Sequence, residues 1–541
     1  MSGAPPPPLR WWGWGDRQVP VPPGLLTLLR EECGIDGSIV SRAPLLSDVR
    51  MPDCSLPSEL RSALVEICGS LNVRSDEEER IRHAGGRSYL DLLRLRSATL
   101  DAAPDAVVHP ANHAEVAAVI AACAAAGCAV VPFGGGTSVV GGVTTPLRSP
   151  CVAVDTDRLD ALTNFDSTSL LATLGAGMRG PRIEAELNAR GVTLGHFPQS
   201  FEYATAGGFA ATRSAGQASA GYGRFDAMVR GLTMASPAGE CNVRAEPPSA
   251  TGPSLLQMLV GSEGALGLIT DVTVRVRPDP AARRYAGWSF PTFEEGAAAF
   301  RELAQHQHLP DVARLSDAHE TRAGFAVSES GMTRFALRYL EARGQPRPCL
   351  AILGWEGSTH DIGARMHSAG PMLRRHGAIS LGTSPGRSWL RDRFAAPYLR
   401  DALLDRGVLV ETLETGATWS RLDELRNAVT SALLFALRRH GTWPLVGCHV
   451  SHLYPEGASL YFTILAPQAP DPVSQWHDAK RAATDAIVDY GGVLSHHHGI
   501  GRDHAAWLPL ARGESAMSCL RALKRELDPA AIMNPGALVS T

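Results

Sequence analysis

The feature that most constrains the fold is a strand, a helix, a second strand and a glycine-rich loop that follow one another between residues 104 and 142, PDAVVHPANHAEVAAVIAACAAAGCAVVPFGGGTSVVGG. The alanine-rich middle is typical of a helix, and the short apolar runs beside it are typical of buried strands. Glycines after a buried strand let backbone N–H groups approach a pyrophosphate, and Thr137 and Ser138 add hydroxyl donors. A mobile turn is the alternative, but the strand context favours a phosphate cradle.

Composition indicates an ordinary globular protein of two or more domains, with 541 residues, 44% of them apolar and 20% charged. The net charge of -4 gives no electrostatic reason to expect nucleic acid as a partner. Only two lysines, Lys480 and Lys524, stand against 49 arginines. We interpret the arginine excess as a compositional bias and not as a basic patch.

Cysteine usage and the N-terminus both predict a cytoplasmic protein. Ten cysteines are too sparse and irregular for a disulfide framework, so a reducing compartment fits best. The start, MSGAPPPPLRWWGWGDR, lacks the basic residues and apolar run of a signal peptide. Glu115 and Gly127 interrupt the longest apolar stretch, which therefore predicts a helix followed by a strand and not a membrane span.

The chain divides into four segments, and the predicted fold class is α+β. Residues 1–98 combine a polyproline start, a tryptophan-rich patch and short helical patterns. Residues 99–280 contain the glycine loops and further strand-like runs such as GLITDVTVRVRP. Residues 281–467 change to helices with intervening strands, and residues 468–541 contain one more helix, three consecutive histidines and a closing turn at IMNPG.

Three further glycine-containing stretches follow the first loop. Gly175-x-Gly177-x-x-Gly180 has the spacing of a dinucleotide fingerprint, but the next strand, VTLGHF, supplies no acidic residue for a ribose. We therefore expect only a tight turn from a strand into a helix there. The stretch PQSFEYATAGGFAATRSAGQ predicts a packed loop against a flat ligand, and GSEGALGLIT places Glu263 just before a strand.

The histidine triplet in VLSHHHGIGRDHAAWL is the other conspicuous motif. On a strand, His496 and His498 would share one face and His497 would take the other. A solvated turn needs no function, whereas buried imidazoles suit a pocket that handles protons or anions. A zinc site including Asp503 and His504 is a third interpretation, but no supporting ligand has the usual spacing, so no metal is expected.

The order PFGGGTS, ATAGGFAATRSAG, GSEGALGLIT and IMNPG resembles the FAD-binding flavoproteins of the vanillyl-alcohol oxidase and PCMH-type superfamily. RWWGWG, GHFPQSFEYATAGGF and LSHHHGIGR resemble, more narrowly, the alkylglycerone-phosphate synthases, also called alkyldihydroxyacetonephosphate synthases. This resemblance implies a two-part PCMH-type FAD-binding domain at 99–280 and a cap, or substrate, domain with an antiparallel sheet and helices at 281–467. It also implies that the histidine triplet forms an active-site loop in the C-terminal segment.

The resemblance also implies which residues contact FAD. The loop lacks the histidine that carries covalent flavin in some relatives, so we expect non-covalent FAD. The implied contacts are Pro132, Phe133, Gly134, Gly135, Gly136, Thr137, Ser138, Gln199, Ser200, Phe201, Glu202, Tyr203, Ala204, Thr205, Thr212, Arg213, Ser214, Ala215, Glu263, Gly264, Ala265, Leu266, Gly267, Leu268 and Ile269.

For catalysis, the resemblance implies exchange of the acyl group of an acyl-dihydroxyacetone phosphate for a long-chain alcohol, through a bond between the substrate carbon and flavin N5. It assigns the base to Tyr461, a functional role to Arg314 and substrate binding to Arg400. The tyrosine fits only if nearby cations lower its pKa. His496, His497 and His498 are expected to form a cationic, proton-handling wall.

Two departures and two rivals leave the substrate open. His449 stands where the synthases have arginine, and GQASAGYGRFD replaces a more basic run. An FAD-linked oxidoreductase acting on a 2-hydroxyacid or alcohol would use the same scaffold, and a metal-dependent hydrolase built on the histidines is the third hypothesis. A small lipid substrate is the expected partner, while a homodimer and peripheral contact with a membrane both stay open.

Overall fold

The computed structural model describes residues 9–35, 37, 39–148, 150–306, 308–328 and 331–539. The polyproline start at residues 1–8 lies outside this range. In the described part of the chain, no helix combines the length and apolar character needed to cross a bilayer.

The N-terminal region contributes mainly helices and one short strand. Its elements are α1 (Pro23–Cys33), α2 (Ser58–Cys68), β1 (Val73–Arg74), α3 (Glu77–Arg82) and α4 (Tyr89–Arg96). This region is continuous with the next one, because β1 pairs with the first strand there.

The first sheet contains the predicted strand–helix–strand unit. Its further elements are β2 (Ala106–Val108), α5 (His113–Ala125), β3 (Ala129–Phe133) and β4 (Cys151–Asp155). The strand order is β1-β2-β4-β3, in which β4 runs parallel to both β2 and β3. The Asn112 side chain caps α5 by accepting from the Glu115 N–H, and the helix buries Val116, Ile120 and Cys123 along one face.

The second sheet is antiparallel, with strand order β5-β6-β10-β8-β9, and β7 pairs with β11 beside it. This region comprises β5 (Leu162–Asp166), β6 (Leu171–Gly175), α6 (Gly180–Asn188), β7 (Val192–Thr193), α7 (Ala206–Thr212), α8 (Ser219–Tyr222), α9 (Phe225–Met228), β8 (Val229–Ser236), β9 (Gly239–Val243), α10 (Leu255–Leu259), β10 (Leu268–Arg275) and β11 (Arg277–Pro278).

The third sheet is also antiparallel and has the strand order β15-β12-β14-β13-β17-β18-β16. Its region comprises β12 (Ala282–Phe290), α11 (Phe293–Gln305), β13 (Val312–Ser316), α12 (Ala318–Ser328), α13 (Gly331–Ala342), β14 (Cys349–Gly357), α14 (Thr359–Arg375), β15 (Ile379–Ser380), α15 (Ser384–Asp392), α16 (Ala396–Leu404), β16 (Val408–Thr418), α17 (Leu422–Arg439), β17 (Leu445–Leu453) and β18 (Gly457–Pro467). The chain closes with α18 (Pro472–Asp489), α19 (Leu508–Arg512) and α20 (Glu514–Leu527).

The two faces of the third sheet differ: one packs against a helical core, and the other carries polar residues at its centre beside a smaller apolar cluster. Leu460 and Phe462 of β18 pack in a core with Phe300 of α11, Leu433 of α17 and Trp476 of α18. Since side chains alternate along a strand, the residues between them point to the opposite face. That second face carries the site.

These features confirm the predicted α+β fold with an antiparallel cap sheet. The Gly175–Gly180 stretch is, as expected, a turn from β6 into α6, and all ten cysteines are free. The histidine triplet lies on a loop that pairs with no neighbouring strand in the described structure, so the alternation considered for a strand does not apply to it. The boundaries at 98, 280 and 467 stay predictions.

Candidate active site

The glycine loops, which are far apart in sequence, are in contact. A Cβ on Gly135 would lie 2.1 Å from the carbonyl oxygen of Tyr203, and one on Gly134 would lie 2.5 Å from Thr205 Oγ1. Gly264 packs in the same way against the ring of Pro132. Only a residue without a side chain permits this approach of backbone to backbone, so the glycines are needed where the loops meet.

The C-terminal turn fastens two of these loops together. Asn534 donates through Nδ2 to the carbonyl oxygens of Gly142, at 2.8 Å, and of Glu263, at 2.7 Å. The Glu263 carboxylate in turn accepts from the backbone N–H groups of Ile500 and Gly501, each at 2.7 Å. The IMNPG ending therefore closes the glycine-loop surface, and Glu263 joins that surface to the histidine loop.

Two observations indicate that this surface is suited to binding FAD. Among the described residues, none accepts a hydrogen bond from the successive backbone N–H groups of Gly135 to Ser138, a pattern typical of an anion-binding loop. Buried polar atoms without a partner in the described structure also border the loops. They are His196 Nδ1, Gln217 Oε1, Ser262 Oγ and Asn534 Oδ1.

The other predicted FAD residues lie on or beside the same loops, and several of their side chains form hydrogen bonds within the protein. Gln199 donates to the carbonyl oxygen of Arg393, and Arg213 pairs with Asp226. Ser214 Oγ lies 3.1 Å from His196 Nε2. Their assignment to FAD stays a prediction.

A buried carboxylate that the sequence analysis missed holds the histidine loop. Glu414, on β16 and 3% exposed, accepts from the backbone N–H groups of His496, His497 and His498 at 2.6 to 3.1 Å, and from Ser495 Oγ at 2.7 Å. Burial opposes its ionisation, but the histidine rings and N–H donors lower the pKa of Glu414 well below its usual range. An ionised Glu414 therefore fixes the direction in which the three rings project.

Tyr461 lies directly below these rings on the polar face of the cap sheet. Glu414, Tyr461 and His449 are direct cross-strand neighbours on β16, β18 and β17. The Tyr461 ring stacks on His449 with centroids 4.8 Å apart, and it faces His497 at 6.1 Å and His498 at 5.6 Å. Register in the sheet thus brings residues from three strands and one loop to a single point.

Arg314 reaches the same cluster from β13. Its Nη2 lies 2.5 Å from Glu320 Oε1 and 3.2 Å from His449 Nδ1, which is itself 2.9 Å from Glu320 Oε2. Although burial opposes it, His449 and Arg314 lower the pKa of Glu320 to about 2. His449, which replaces an expected arginine, therefore contacts the Arg314–Glu320 ion pair through its ring Nδ1, while burial and the Arg314 charge lower the pKa of His449.

The expected charge states of the tyrosine and histidines are wrong for this structure. Burial raises the pKa of Tyr461 to about 12, and the charge of Arg314 offsets this only in part. Burial lowers the pKa of His497 to about 3 and also lowers the pKa values of His496 and His498. The wall is thus made of neutral imidazoles above a protonated phenol.

Two more histidines that the sequence analysis did not select complete the wall. His452 places its ring 4.8 Å from that of His496, and its Nε2 lies 3.0 Å from the carbonyl oxygen of Gly216. His196 contacts Ser214. Burial lowers the pKa of His196 to about 3, and the neighbouring His452 and His497 act in the same direction. An irregularity in the pairing of β17 between Val450 and Leu453 helps to place His452, and simple alternation could not reveal it.

Arg400 lies on α16, and Glu411 is an electrostatic neighbour of both Arg400 and Tyr461. Arg400 Nε is buried without a hydrogen-bond partner in the described structure, and its charge acts on Asp401 and Glu411. None of the described contacts joins Arg400 to Tyr461 or to the histidine loop. An unpaired guanidinium nitrogen is suited to binding an oxyanion.

Comparison with known proteins defines first the class and then the family. Residues 104–243 match the family described as FAD binding domain, and residues 279–538 match that described as FAD linked oxidases, C-terminal domain. A substrate-bound p-cresol methylhydroxylase has the same fold, with a TM-score of 0.65 at 14% identity over 90% of this chain and 98% of the other. The fold is that of a PCMH-type flavoprotein, and FAD is its cofactor.

Nearer relatives specify the family. The alkyldihydroxyacetonephosphate synthase of Dictyostelium discoideum is 33% identical, over 87% of this chain and 79% of the relative. That of Trypanosoma brucei brucei is 30% identical, over 98% and 92%. A solved alkyldihydroxyacetonephosphate synthase superimposes with a TM-score of 0.86 at 29% identity, covering 97% of this chain and 98% of the other. The chain belongs to the alkyldihydroxyacetonephosphate synthase family.

Proposed function

We propose that this protein exchanges the acyl group of an acyl-dihydroxyacetone phosphate for a long-chain alcohol, forming an ether lipid precursor. The observation that carries this proposal is the convergence of Arg314, Tyr461 and the histidine loop on one face of the cap sheet, against the FAD-binding loops, in a member of this family. An exchange of two oxygen substituents needs a proton acceptor and sites for anions, and this face offers both.

The reaction is redox-neutral overall and balances without a further reactant. A proton leaves the carbon that bears the ester, the fatty acid departs as a carboxylate, and the alcohol takes its place. A proton then returns to the carbon, so the only proton released overall is that of the alcohol. Bound FAD supplies an electrophilic ring beside that carbon. The protein must hold the ketone phosphate, accept the proton and exclude water from the exchange.

We assign the proton acceptor to Tyr461. With a pKa of about 12, little of its phenol is ionised at neutral pH, but the ionised form is a strong base. The Arg314 charge lowers that pKa against the effect of burial, so Arg314 favours the ionised phenol. Neutral His497 and His498, which face the Tyr461 ring, can then donate hydrogen bonds to the departing carboxylate or to the phosphate.

Arg400 is proposed to bind the second anionic group of the substrate. Its unpartnered Nε supports this role, because guanidinium groups bind carboxylate and phosphate oxygens through several N–H donors. Arg400 and Tyr461 share the neighbour Glu411 without touching each other in the described structure, which fits a substrate that contacts both side chains.

The decisive experiment follows alcohol exchange with the purified protein. Palmitoyl-dihydroxyacetone phosphate and radiolabelled hexadecanol should give a labelled ether product only when both are present. Tyr461→Phe should lower kcat by at least about 100-fold and still bind FAD, because it removes only the proton acceptor. Tyr490→Phe, which alters an exposed tyrosine after α18, should keep full activity.

Two results would reject this proposal. If Tyr461→Phe exchanged as fast as the unaltered protein, the tyrosine would not be the base. If no ether formed while 2-hydroxyacids or alcohols bleached the flavin absorbance anaerobically, the protein would be an FAD-linked oxidoreductase on the same scaffold.

We further propose that FAD is held without a covalent bond, since Pro132 to Ser138 offer no histidine, cysteine or tyrosine to attach it. Acid precipitation should then release all of the flavin into the supernatant. Flavin remaining in the pellet would contradict this.

A cytoplasmic location with peripheral contact at a membrane is proposed because long-chain substrates reside in bilayers. Cosedimentation with lipid vesicles tests this contact. A homodimer is proposed as the assembly, and analytical ultracentrifugation would show it as a species of twice the chain mass.

A further inference from the structure

A cluster of two imidazoles and three carboxylates lies outside the site described above, at the carboxyl ends of two parallel strands. His109 follows β2, Asp155 ends β4, and Asp157 is two residues further on. One ligand-type atom from each of these three side chains lies within 4.8 Å of the others. His83, which follows α3, joins them with Nε2 at 2.8 Å from Asp155 Oδ2.

Each imidazole has one nitrogen facing an aspartate and the other facing Glu79. His83 Nδ1 lies 2.9 Å from the Glu79 carbonyl oxygen and 3.4 Å from its Oε1. His109 Nδ1 lies 3.0 Å from Asp157 Oδ1, and its Nε2 lies 3.6 Å from Glu79 Oε1. Metal-binding histidines are typically held in this way, with a carboxylate or carbonyl accepting from the nitrogen that does not bind the metal.

We propose that this cluster is a zinc site, with His83 Nε2, His109 Nδ1, Asp155 and Asp157 as ligands and Glu79 as the acceptor behind both rings. Zinc prefers four nitrogen and oxygen ligands at about 2.0–2.2 Å in a tetrahedron, so neighbouring ligand atoms lie about 3.3–3.6 Å apart. The ligand atoms of His109, Asp155 and Asp157 lie within 4.8 Å of one another, and His83 Nε2 lies 2.8 Å from Asp155 Oδ2, so binding requires side-chain movements around the ion. Both nitrogens of each imidazole now face an oxygen atom, so zinc would bind with release of the protons that lie between the proposed ligands.

The charges and burial of the cluster favour a cation. Three carboxylates face two imidazoles, and the side chains of His83 and Asp155 are 7% and 11% exposed. The nearby Arg158 does not fill the site, because its guanidinium donates to the His109 carbonyl oxygen at 2.7 Å. Asp157 is 48% exposed, which leaves a route for an ion to enter.

The site would brace the base of the first glycine loop. The His83 ring packs on Phe133, the last residue of β3, with centroids 4.4 Å apart. A bound ion would join the ends of β2 and β4 and the turn after α3 directly beside that residue. This inference is independent of the proposed reaction.

The test uses the purified flavoprotein, stripped with a chelator and titrated with zinc chloride alone. Calorimetry and elemental analysis should find one tightly bound zinc per chain at this cluster, and Co²⁺ should give the visible absorption of a tetrahedral complex. The double variant His109→Gln/Asp157→Asn, changed at the more exposed ligands to preserve folding, should lose this zinc. Glu79→Gln should weaken binding about 10- to 100-fold, as loss of an outer acceptor does.

His113→Gln provides the matched control, because His113 begins α5 close to this region but pairs with Glu240 outside the cluster. It should bind zinc as tightly as the unaltered protein. Zinc that survives the double variant but is lost in His497→Gln would place the ion at the His452, His496 and His497 rings and overturn the proposal. Absence of stoichiometric zinc in the unaltered protein would overturn it equally.

Discussion

The buried histidines of the site make the protein sensitive to acid. Burial lowers the pKa values of His196, His452 and His497 to about 3, whereas an unfolded chain would protonate them near 6.5. Between these two values the unfolded state binds more protons, so folding stability falls as the pH falls. Each histidine should reduce the free energy of unfolding by about 1.4 kcal/mol per pH unit below about pH 6.

Denaturant unfolding at several pH values between 7 and 5 measures this slope. His452→Gln should reduce proton uptake on unfolding at pH 5 by about one, because it removes one such group. His440→Gln should not change it in this way, since His440 is a partly exposed residue paired with Asp478. An unchanged slope in His452→Gln would show that His452 is not held neutral.

At the scale of elements, the conformation of the histidine loop depends on Glu414 of β16, a strand outside the loop. Glu414→Gln should leave at least one backbone N–H donor of His496 to His498 without an acceptor, because it would then face the amide NH₂ group of the glutamine. A buried donor without a partner costs about 1–3 kcal/mol, so both the unfolding free energy and the exchange rate should fall. Urea unfolding and the ether-forming assay measure the two effects.

Glu424→Gln is the matched control, because Glu424 lies exposed on α17. It should leave both quantities unchanged. If Glu414→Gln kept the stability and rate of the unaltered protein, the carboxylate would not be what orders the loop.

At the scale of the whole molecule, the tryptophan-rich N-terminal segment joins the FAD-binding region to the cap. The backbone N–H of Trp14 donates to Asp401 Oδ2 at 2.6 Å, and the Trp14 ring meets that of Tyr203 edge-on at 5.3 Å. Arg87, itself buried, donates to the carbonyl oxygens of Arg10 and Gly13. The patch that resembles a family marker in the sequence is therefore a structural clamp.

Trp14→Ala should destabilise the protein by about 3–5 kcal/mol, since it empties a buried aromatic site between the two regions. Thermal unfolding followed by circular dichroism and by flavin fluorescence should show a lower midpoint and earlier flavin release. Trp443→Ala should have little effect, because Trp443 is 63% exposed. Equal midpoints for the two variants would argue against the clamp.

Local sequence was sufficient for the glycine loops and for the helices and strands around them. Strands and amphipathic helices are signalled by short-range periodicity, and a glycine loop after a buried strand carries its chemistry in its own backbone. Tyr461, Arg314 and the histidine triplet came from the resemblance, and the structure does bring these five residues together. Their catalytic roles stay proposals.

The partners and the charges of those residues were decided only by tertiary structure. Glu414 lies 82 residues before His496, and His196 and His452 reach the site through separate elements, so no local pattern connects them. The pKa of Tyr461 rises and those of the histidines fall because folding removes water from around them. Sequence alone determined which chemical groups are present; packing decided which of them meet and in which protonation state, because desolvation and long-range pairing exist only in the folded chain.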